Sequence, residues 1–299
     1  MQRLTRQQLV TLVVLTLVWG LNWPVMKLGV THFPPLTFRA LSIMLGIPVL
    51  ALALVVLKVP FAVPRRHWPE LLKLTASNML IWHICIIFAV QALSSGRAAI
   101  LGYTMPIFSA VIGAVLFATA LTLRAWLGVC AAAIGVLLLL WHEFTGLAGH
   151  PVGVALALFA ASVWGLGTQL LRRSHIGLPT LTLSFWMTVI AGLVMSALAA
   201  MFESSQWRLP DTAVSWAIAY NAVLIFGYAH AAWFYLARSL PPVASTLSVM
   251  FIPVLGVFSG ALGLGEVLHW QDWAAVLLMV VAIASVLWPV RTPPAPEPA

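Results

Sequence analysis

Residues 128–140, with the sequence GVCAAAIGVLLLL, form an unbroken apolar run. A strand of a membrane β-barrel alternates apolar and polar residues, so a run without alternation predicts a helix. Hydrophobic residues make up 62% of the 299-residue chain and charged residues only 7%, whereas about a quarter of a soluble domain is charged. The sequence therefore predicts an all-α integral membrane protein.

The chain has ten apolar stretches, each close to the ~20 residues that a helix needs to cross a bilayer. They cover residues 9–29, 36–57, 71–92, 98–118, 123–141, 151–171, 180–201, 212–236, 243–264 and 273–290. The tail, residues 292–299, consists mostly of Pro and Ala and is predicted to be disordered. Because the loops are short, we expect no separate extramembrane domain.

The second five spans resemble the first five. Trp19-Gly20 in span one recurs as Trp164-Gly165 in span six. One constant offset then pairs Pro106 with Pro253, Gly113 with Gly260, Leu121 with Leu268, Trp126 with Trp273 and Trp141 with Trp288. An odd number of spans places the second copy upside down in the membrane. The sequence thus predicts two inverted five-helix repeats, residues 1–145 and 146–291.

Basic residues predict how the chain is oriented. With a cytoplasmic N-terminus, eleven of the 15 Lys and Arg residues map to the cytoplasmic side, and Lys27, Arg39, Arg97 and Arg208 map to the other side. Translocated loops are depleted in these residues. We therefore expect a multi-pass protein of the cell inner membrane with both termini in the cytoplasm. The net charge of +8 belongs to these loops and predicts no nucleic-acid partner.

Prolines and small residues point to helix contacts. Pro24, Pro106 and Pro253 lie near mid-span, where a lost backbone hydrogen bond predicts a kink that lines or gates a cavity; simple structural kinks are the alternative. The spacings Ser109-x-x-x-Gly113 and Gly256-x-x-x-Gly260 let helix backbones approach closely. We expect them to pack span four against span nine, with a dimer contact as the alternative.

Residues 253–266, with the sequence PVLGVFSGALGLGE, join the ten spans, the repeat and the Trp-Gly pairs in a pattern that resembles the drug/metabolite transporter superfamily, EamA type. Within it the chain is most similar to YddG-type exporters of aromatic and other amino acids. The resemblance implies a central cavity surrounded by spans one to four and six to nine, with spans five and ten outside. It places Tyr103, Met105, Trp164 and, by position, Ser248 at that cavity.

Other polar and aromatic residues near mid-span complete the predicted substrate site. They are Trp19, Asn22, Asn78, Trp82, His83, His230 and Ser245. Aromatic rings accept apolar side chains and attract an ammonium group, while Ser and Asn supply hydrogen bonds. All 7 acidic residues map to span ends, loops or the tail. His83 and His230 are therefore the remaining titratable candidates, with hydrogen-bonded packing as the alternative for each.

The leading hypothesis is an exporter of amino acids and similar small metabolites that works by alternating access. The main alternative is a transporter of another metabolite or drug in the same superfamily. A passive channel is disfavoured by the repeat. A membrane enzyme acting on lipid is disfavoured because its chemistry needs clustered His, Asp, Glu or Cys residues. We expect no cofactor and no metal; a monomer is compatible with the sequence, which leaves the oligomeric state open.

Overall fold

The computed structural model describes residues 5–121, 123–145, 150–239 and 242–287. Only the backbone is described at residues 140, 142–145, 237–239, 242–250 and 286–287. The predicted disordered tail, residues 292–299, lies outside the described residues. So do residues 1–4 and the end of the predicted last span, residues 288–290, with Trp288 of the repeat.

Ten helical segments follow one another along the described chain. They are α1 (Arg6–Thr31), α2 (Pro35–Val56), α3 (Arg65–Ala92), α4 (Ser95–Phe117), α5 (Leu123–Thr145), α6 (Pro151–Arg173), α7 (Thr180–Phe202), α8 (Thr212–Leu236), α9 (Pro242–Leu264) and α10 (Trp270–Leu287). Each overlaps one predicted span, and every regular element in the described residues is helical. The prediction of an all-α fold is confirmed.

Seven helices within the described residues are long and apolar enough to cross a membrane, namely α1, α2, α3, α4, α6, α7 and α8. Shorter apolar helices occur at Leu123–Leu139, Phe251–Leu264 and Trp270–Ser285. Many large apolar side chains point outward; Leu52 and Val115, for example, are 63% and 73% exposed. An apolar outer surface of this kind is stable in lipid rather than in water.

Helix starts follow from capping residues and prolines. The hydroxyl of Thr5 accepts a hydrogen bond from the N–H of Gln8, and the Gln8 side-chain oxygen accepts one from the N–H of Thr5, so that α1 is capped reciprocally. Asp211 caps α8 by accepting from the N–H of Val214. Pro35 opens α2, where the first N–H of a helix needs no partner.

Proline has different effects in different helices. α4 consists of two pieces, Ser95–Gly102 and Met105–Phe117, and Pro106 stands at the start of the second. Because Pro106 has no N–H, it cannot continue the bonding of the first piece. Pro24 and Pro253 instead lie inside unbroken helices. The helix is thus interrupted at Pro106, and a role of Pro24, Pro106 and Pro253 in lining or gating the cavity stays a prediction.

Two helix contacts depend on glycine. A Cβ atom built on Gly20 of α1 would lie 2.6 Å from the Cβ of Leu255 in α9. One built on Gly165 of α6 would lie 2.8 Å from the backbone nitrogen of Ser109 in α4. Both positions are too close for a side chain, so glycine lets α1 approach α9 and α6 approach α4. These are the two glycines of the repeated Trp-Gly pairs.

The small-residue faces predicted to join spans four and nine pack differently. The glycines of the α9 face contact Ala99 and Ser95 of α4, which confirms the contact between these helices. On α4, however, Gly113 and Ser109 face Gln169 of α6. The Nε2 group of Gln169 donates to the backbone oxygen of Ser109 at 2.6 Å and to its hydroxyl at 3.1 Å. That half of the prediction is wrong, because α6 occupies the face with a hydrogen-bonded amide.

The remaining helices pack in recurring pairs. α2 contacts α7 and α5 contacts α10, while α3 contacts α6 and α1 contacts α8. Two large apolar clusters result, and the partly buried side chain of Trp19 packs against both. The centre of the molecule therefore lies where these clusters meet.

At one end of the molecule, acidic residues cap the starts of α2 and α4. Glu203, which follows α7, accepts hydrogen bonds from the N–H of Leu36 at 3.0 Å and from the N–H and hydroxyl of Thr37 at 2.7 and 2.8 Å. Glu266, which follows α9, accepts from the N–H and hydroxyl of Ser95 at 2.6 and 2.9 Å. Carboxylates satisfy the free N–H groups of a helix start. We call this region the capped end.

Two basic residues are also held at the capped end. The Nε group of Arg97 donates to Asp272 at 2.8 Å. Lys27 donates to the backbone oxygen of Gln91 at 2.8 Å. Both residues therefore have structural partners. The sequence analysis had mapped both to the non-cytoplasmic side.

Candidate functional site

A small cavity lies at the centre of the helix bundle, where α1, α2, α3, α4, α6 and α8 meet. Its volume is about 50 Å³. The lining residues are Trp19, Asn22, Trp23, Met26, Arg39, Trp82, His83, Ile86, Tyr103, Met105, Trp164, Ile225 and His230. None of the described side chains that line it belongs to α5 or α10, which agrees with the expectation that spans five and ten lie outside. None belongs to α7 or α9 either, although these spans were expected to surround the cavity.

Eight of the residues predicted for the substrate site line this cavity. They are Trp19, Asn22, Trp82, His83, Tyr103, Met105, Trp164 and His230. Asn78 does not, because its amide nitrogen donates back to the carbonyl oxygen of Leu74 and to the hydroxyl of Ser77, at 3.1 and 3.2 Å. The side chains of Ser245 and Ser248 lie outside the described residues.

Aromatic rings form the wall of the cavity. Trp82 of α3 and Trp164 of α6 are 5.1 Å apart between ring centroids. Trp19 lies edge-on to His230 at 6.2 Å, and Trp164 is tilted against the same histidine at 6.3 Å. Tilted and edge-to-face arrangements are the ones that aromatic rings prefer. The rings therefore contact one another while they line the cavity.

The two histidines differ in their hydrogen bonding. Nδ1 of His230 lies 2.9 Å from the backbone oxygen of Ile225. Both ring nitrogens of His83 are buried and have no hydrogen-bond partner. The two rings are 5.3 Å apart, and Phe226 stacks on His230 at an angle of 5°. Two histidines give fewer ligands than a structural metal site requires, and in the described residues no group of three His, Cys, Asp or Glu lies close enough to hold a metal.

The backbones of α3 and α8 are irregular beside the cavity. Each contains a π-helical segment, Ala76–Leu80 in α3 and Asn221–Ala229 in α8. In each segment an asparagine side chain donates to the carbonyl oxygen four residues earlier: Asn78 does so in α3, and Asn221 donates to Ala217 at 3.0 Å in α8. Such segments occur frequently at functional sites. Here they shift the helix register just before His83 and His230.

Arg39 is the main cavity residue that the sequence analysis missed. It was assigned to the non-cytoplasmic side, but its side chain is 0% exposed and lines the cavity. The predicted second span already contained Arg39, but the sequence did not show that this face of α2 packs against α1 and α8, where the guanidinium bonds to Met26 and Asn221. A signal was present, because a charged residue within an apolar span is costly and marks a functional site. The other missed residues, Trp23, Met26, Ile86 and Ile225, have no sequence feature that separates them from packing residues.

The acidic residues with described side chains lie away from the cavity. Every described carboxylate has a partner elsewhere: Glu203, Asp211, Glu266 and Asp272 bond as given above, and Glu70 accepts from the hydroxyl of Ser174 at 2.5 Å. The sequence-based expectation of acidic residues at helix ends is confirmed for these five. Among the described side chains, the cavity lining therefore combines aromatic rings, one guanidinium, one amide and two imidazoles.

The sequence profile of the EamA-like transporter family matches this chain twice, at residues 8–141 and 151–288. The chain is 27% identical over 278 residues to the "uncharacterized inner membrane transporter YedA" of Escherichia coli (strain K12), with 91% of this chain and 88% of YedA covered. It is 26% identical over 296 residues to a "probable amino-acid metabolite efflux pump" of the same strain, with 92% and 93% covered.

A solved crystal structure has a similar fold. Its TM-score is 0.70 at 17% sequence identity, and the similarity covers 94% of this chain and 97% of the other. At this identity the likeness concerns the fold alone. The two profile matches nevertheless span most of the chain, and the helices are those of a multi-pass membrane protein. The protein is therefore a membrane transporter that belongs to the EamA-like transporter family.

Proposed function

We propose that this protein exports amino acids, including aromatic ones, and similar small metabolites across the cell inner membrane through the aromatic cavity. The observation that carries the proposal is that both halves of the chain contribute residues to the cavity wall. Trp19, Trp82 and Tyr103 come from the first profile match, and Trp164 and His230 come from the second. A site shared between two halves is the arrangement that alternating access requires.

The proposal includes two inverted repeats, residues 1–145 and 146–291, with both termini in the cytoplasm. The double match to the family profile supports the two repeats. Helix packing supports them as well, because α1 with α9 and α6 with α4 are equivalent contacts under the repeat, and α2 with α7 and α5 with α10 join each helix to its own counterpart. A two-fold axis between the halves would produce this pattern.

Corresponding backbone contacts add to this support. The N–H of Thr119 donates to the carbonyl oxygen of Gly113 at 3.0 Å, just after α4. The N–H of Glu266 donates to the carbonyl oxygen of Gly260 at 3.4 Å, just after α9. The constant offset in the sequence pairs these residues, so the two helices end in the same way.

Substrate passage requires the cavity to open. Pockets for small organic molecules usually measure about 300–1,000 Å³, and this cavity measures about 50 Å³. The seams closed by Gly20 and Gly165 are the contacts that rocking of the halves would loosen. The name of the amino-acid metabolite efflux pump supports amino acids as cargo; the narrower likeness to YddG-type exporters stays a prediction.

Uptake of labelled L-phenylalanine and L-leucine into liposomes that contain the purified protein tests the proposal. We expect saturable uptake with trans-stimulation, which a channel does not give. The measurement is repeated with an imposed pH gradient. Uptake that follows the gradient would direct attention to His83 and His230, and uptake that ignores it would indicate facilitated transport. Uptake equal to that of empty liposomes would overturn amino acids as cargo and favour another metabolite.

Cavity variants connect the transport to the site. Trp164→Ala and Tyr103→Ala remove ring faces from the wall and are each expected to lower uptake roughly tenfold, the effect of about 1.4 kcal/mol of lost binding energy. Membrane insertion stays intact. Trp270→Ala is the matched control, because Trp270 is 66% exposed and lies outside the cavity. Normal uptake in both cavity variants would remove the proposed pocket.

A further inference from the structure

The guanidinium of Arg39 is only partly paired. Its Nη1 group donates to the side-chain oxygen of Asn221 at 3.2 Å, and its Nη2 group donates to the sulfur of Met26 at 2.8 Å. Its Nε–H group is buried and has no hydrogen-bond partner. A thioether is a weak acceptor. The edge formed by Nε and Nη2 therefore lacks a strong acceptor.

No described carboxylate neutralises this charge. Glu70, Glu203, Asp211, Glu266 and Asp272 are the acidic residues with described side chains, and each bonds to other groups at the helix ends. The segment 237–250, whose side chains are not described, contains no Asp or Glu. A buried charge without a counterion is costly. An anion that enters the cavity would lower this cost.

The surroundings of Arg39 favour a planar organic anion. The Nε and Nη2 groups point in the same direction and match the two oxygens of a carboxylate. The Phe226 and Phe38 rings lie 5.6 and 5.9 Å from the guanidinium carbon, and such apolar neighbours strengthen an ion pair by excluding water. Trp82 and Trp164 line the same cavity and would contact an apolar group attached to the carboxylate.

We propose that Arg39 binds the carboxylate of the transported substrate through its Nε and Nη2 groups and that the carboxylate displaces the sulfur of Met26. The substrate class is then a carboxylate that carries an apolar side chain. Asn221 holds the opposite side of the guanidinium and orients it. This inference rests on the proposed function and adds the group by which the substrate is recognised.

Matched ligands that differ only in the carboxylate test the proposal. The probes are L-phenylalanine with L-phenylalaninamide, and 3-phenylpropionate with 3-phenylpropionamide. Binding to the purified protein in detergent micelles is followed by the fluorescence of the cavity tryptophans. We expect each carboxylate to bind roughly tenfold or more tightly than its amide, the usual effect of a charge-assisted hydrogen bond. Sodium chloride is titrated in parallel to detect a response to any anion.

Three variants assign the preference to Arg39. Arg39→Gln removes the charge and is expected to bring both affinity ratios close to one. Arg39→Lys keeps a charge without the paired N–H groups and is expected to give an intermediate ratio. Asn221→Asp leaves Arg39 and its Nε–Nη2 edge in place but puts an internal carboxylate at the position that lies 3.2 Å from Nη1, and is expected to weaken the preference because it neutralises the charge of Arg39. If Arg39→Gln fails to fold, Asn221→Asp still tests whether the carboxylate preference depends on the charge of Arg39.

Arg66→Gln is the matched control, because Arg66 is exposed and lies outside the cavity. It should keep the wild-type ratios. Equal affinities for carboxylate and amide in the wild type, binding of none of the four probes, or a response to chloride alone would overturn the proposal. A full preference retained in both Arg39→Gln and Asn221→Asp would do so as well.

The two proposals fail in different ways. Amino-acid uptake together with equal affinities for L-phenylalanine and its amide would overturn the role of Arg39 and leave the exporter proposal in place. An Arg39-dependent preference for 3-phenylpropionate without amino-acid uptake would overturn amino acids as cargo and leave the carboxylate site in place.

Discussion

The capped end and the aromatic cavity hold their polar groups in opposite ways. At the capped end, Glu203 and Glu266 each accept three hydrogen bonds, the third to Glu266 coming from the N–H of Gly96 at 3.3 Å. In the cavity, the side-chain oxygen of Asn22, the Nε group of Arg39 and both ring nitrogens of His83 are buried without partners. Only one other unpartnered buried side-chain atom is found among the described residues, on Gln271.

This difference separates polar groups whose hydrogen bonds stabilise the fold from buried polar groups that have no hydrogen-bond partner among the described residues. A buried polar group costs about 1–3 kcal/mol when it lacks a hydrogen bond. The carboxylates of the capped end avoid that cost and join helices that are distant in sequence. The unpaired cavity groups bear that cost, and a substrate that supplied hydrogen-bond partners would offset it.

The largest effect is expected at the capped end. Glu203→Ala leaves two N–H groups and one hydroxyl at the start of α2 without their acceptor, while the site stays buried. We expect the free energy of unfolding to fall by about 3 kcal/mol, measured as thermal unfolding in detergent micelles.

Asp211→Ala is the matched control for this change. Asp211 is exposed and accepts one hydrogen bond, from Val214, so its loss should cost only about 1 kcal/mol. If both variants lost the same free energy of unfolding, then burial and the number of hydrogen bonds would not determine how much these caps stabilise the protein.

A smaller effect is expected where the helix seams meet the cavity. A methyl group at Gly165 would lie against the backbone nitrogen of Ser109 and 3.1 Å from the backbone oxygen of Met105, and backbone atoms cannot give way as a flexible side chain can. Gly165→Ala should cost about 2 kcal/mol of stability through overpacking and should also lower uptake. Gly177→Ala is the control, because nothing lies within 4 Å of its added atom. A stable, active Gly165→Ala protein would contradict the close contact of α4 with α6.

The smallest effect is expected at His83 and has the opposite sign. His83→Leu removes two unpartnered nitrogens from a buried site, so we expect the free energy of unfolding to rise by about 1 kcal/mol while binding of L-phenylalanine weakens. His230→Leu removes an imidazole that is paired with Ile225 and should not stabilise the protein. The same thermal unfolding assay compares them. If His83→Leu destabilised the protein as strongly as Glu203→Ala, the cavity would not differ from the capped end.

Much of the fold was predictable because each span is apolar over its whole length. The ten predicted spans coincide with the ten helices to within a few residues at most ends, and the Trp-Gly pairs marked the glycines of two helix seams. Partners across the bundle were less predictable. The Ser109 face was expected on α9 and lies on α6, because many helix faces carry small residues and the sequence does not say which faces meet.

The candidate site was predictable in part because its residues stand out against apolar spans. Polar and aromatic residues near mid-span are unusual, so Trp19, His83 and Trp164 could be selected from the sequence. Arg39 was missed because its position near a span end is compatible with a residue that reaches the membrane surface. Its inward direction depends on where α2 begins and how α2 is rotated against α8.

The sequence by itself determined that this chain is a bundle of apolar helices with a repeated plan, since composition and periodicity decide what a bilayer accepts. The tertiary structure alone decided which polar groups are satisfied. The caps made by Glu203 and Glu266 join residues far apart in the chain. The open edge of Arg39 arises because the helices bring Asn221 and Met26 to it, but none of the described carboxylates. Hydrogen bonding depends on distance and direction in space, and the order of residues does not fix either.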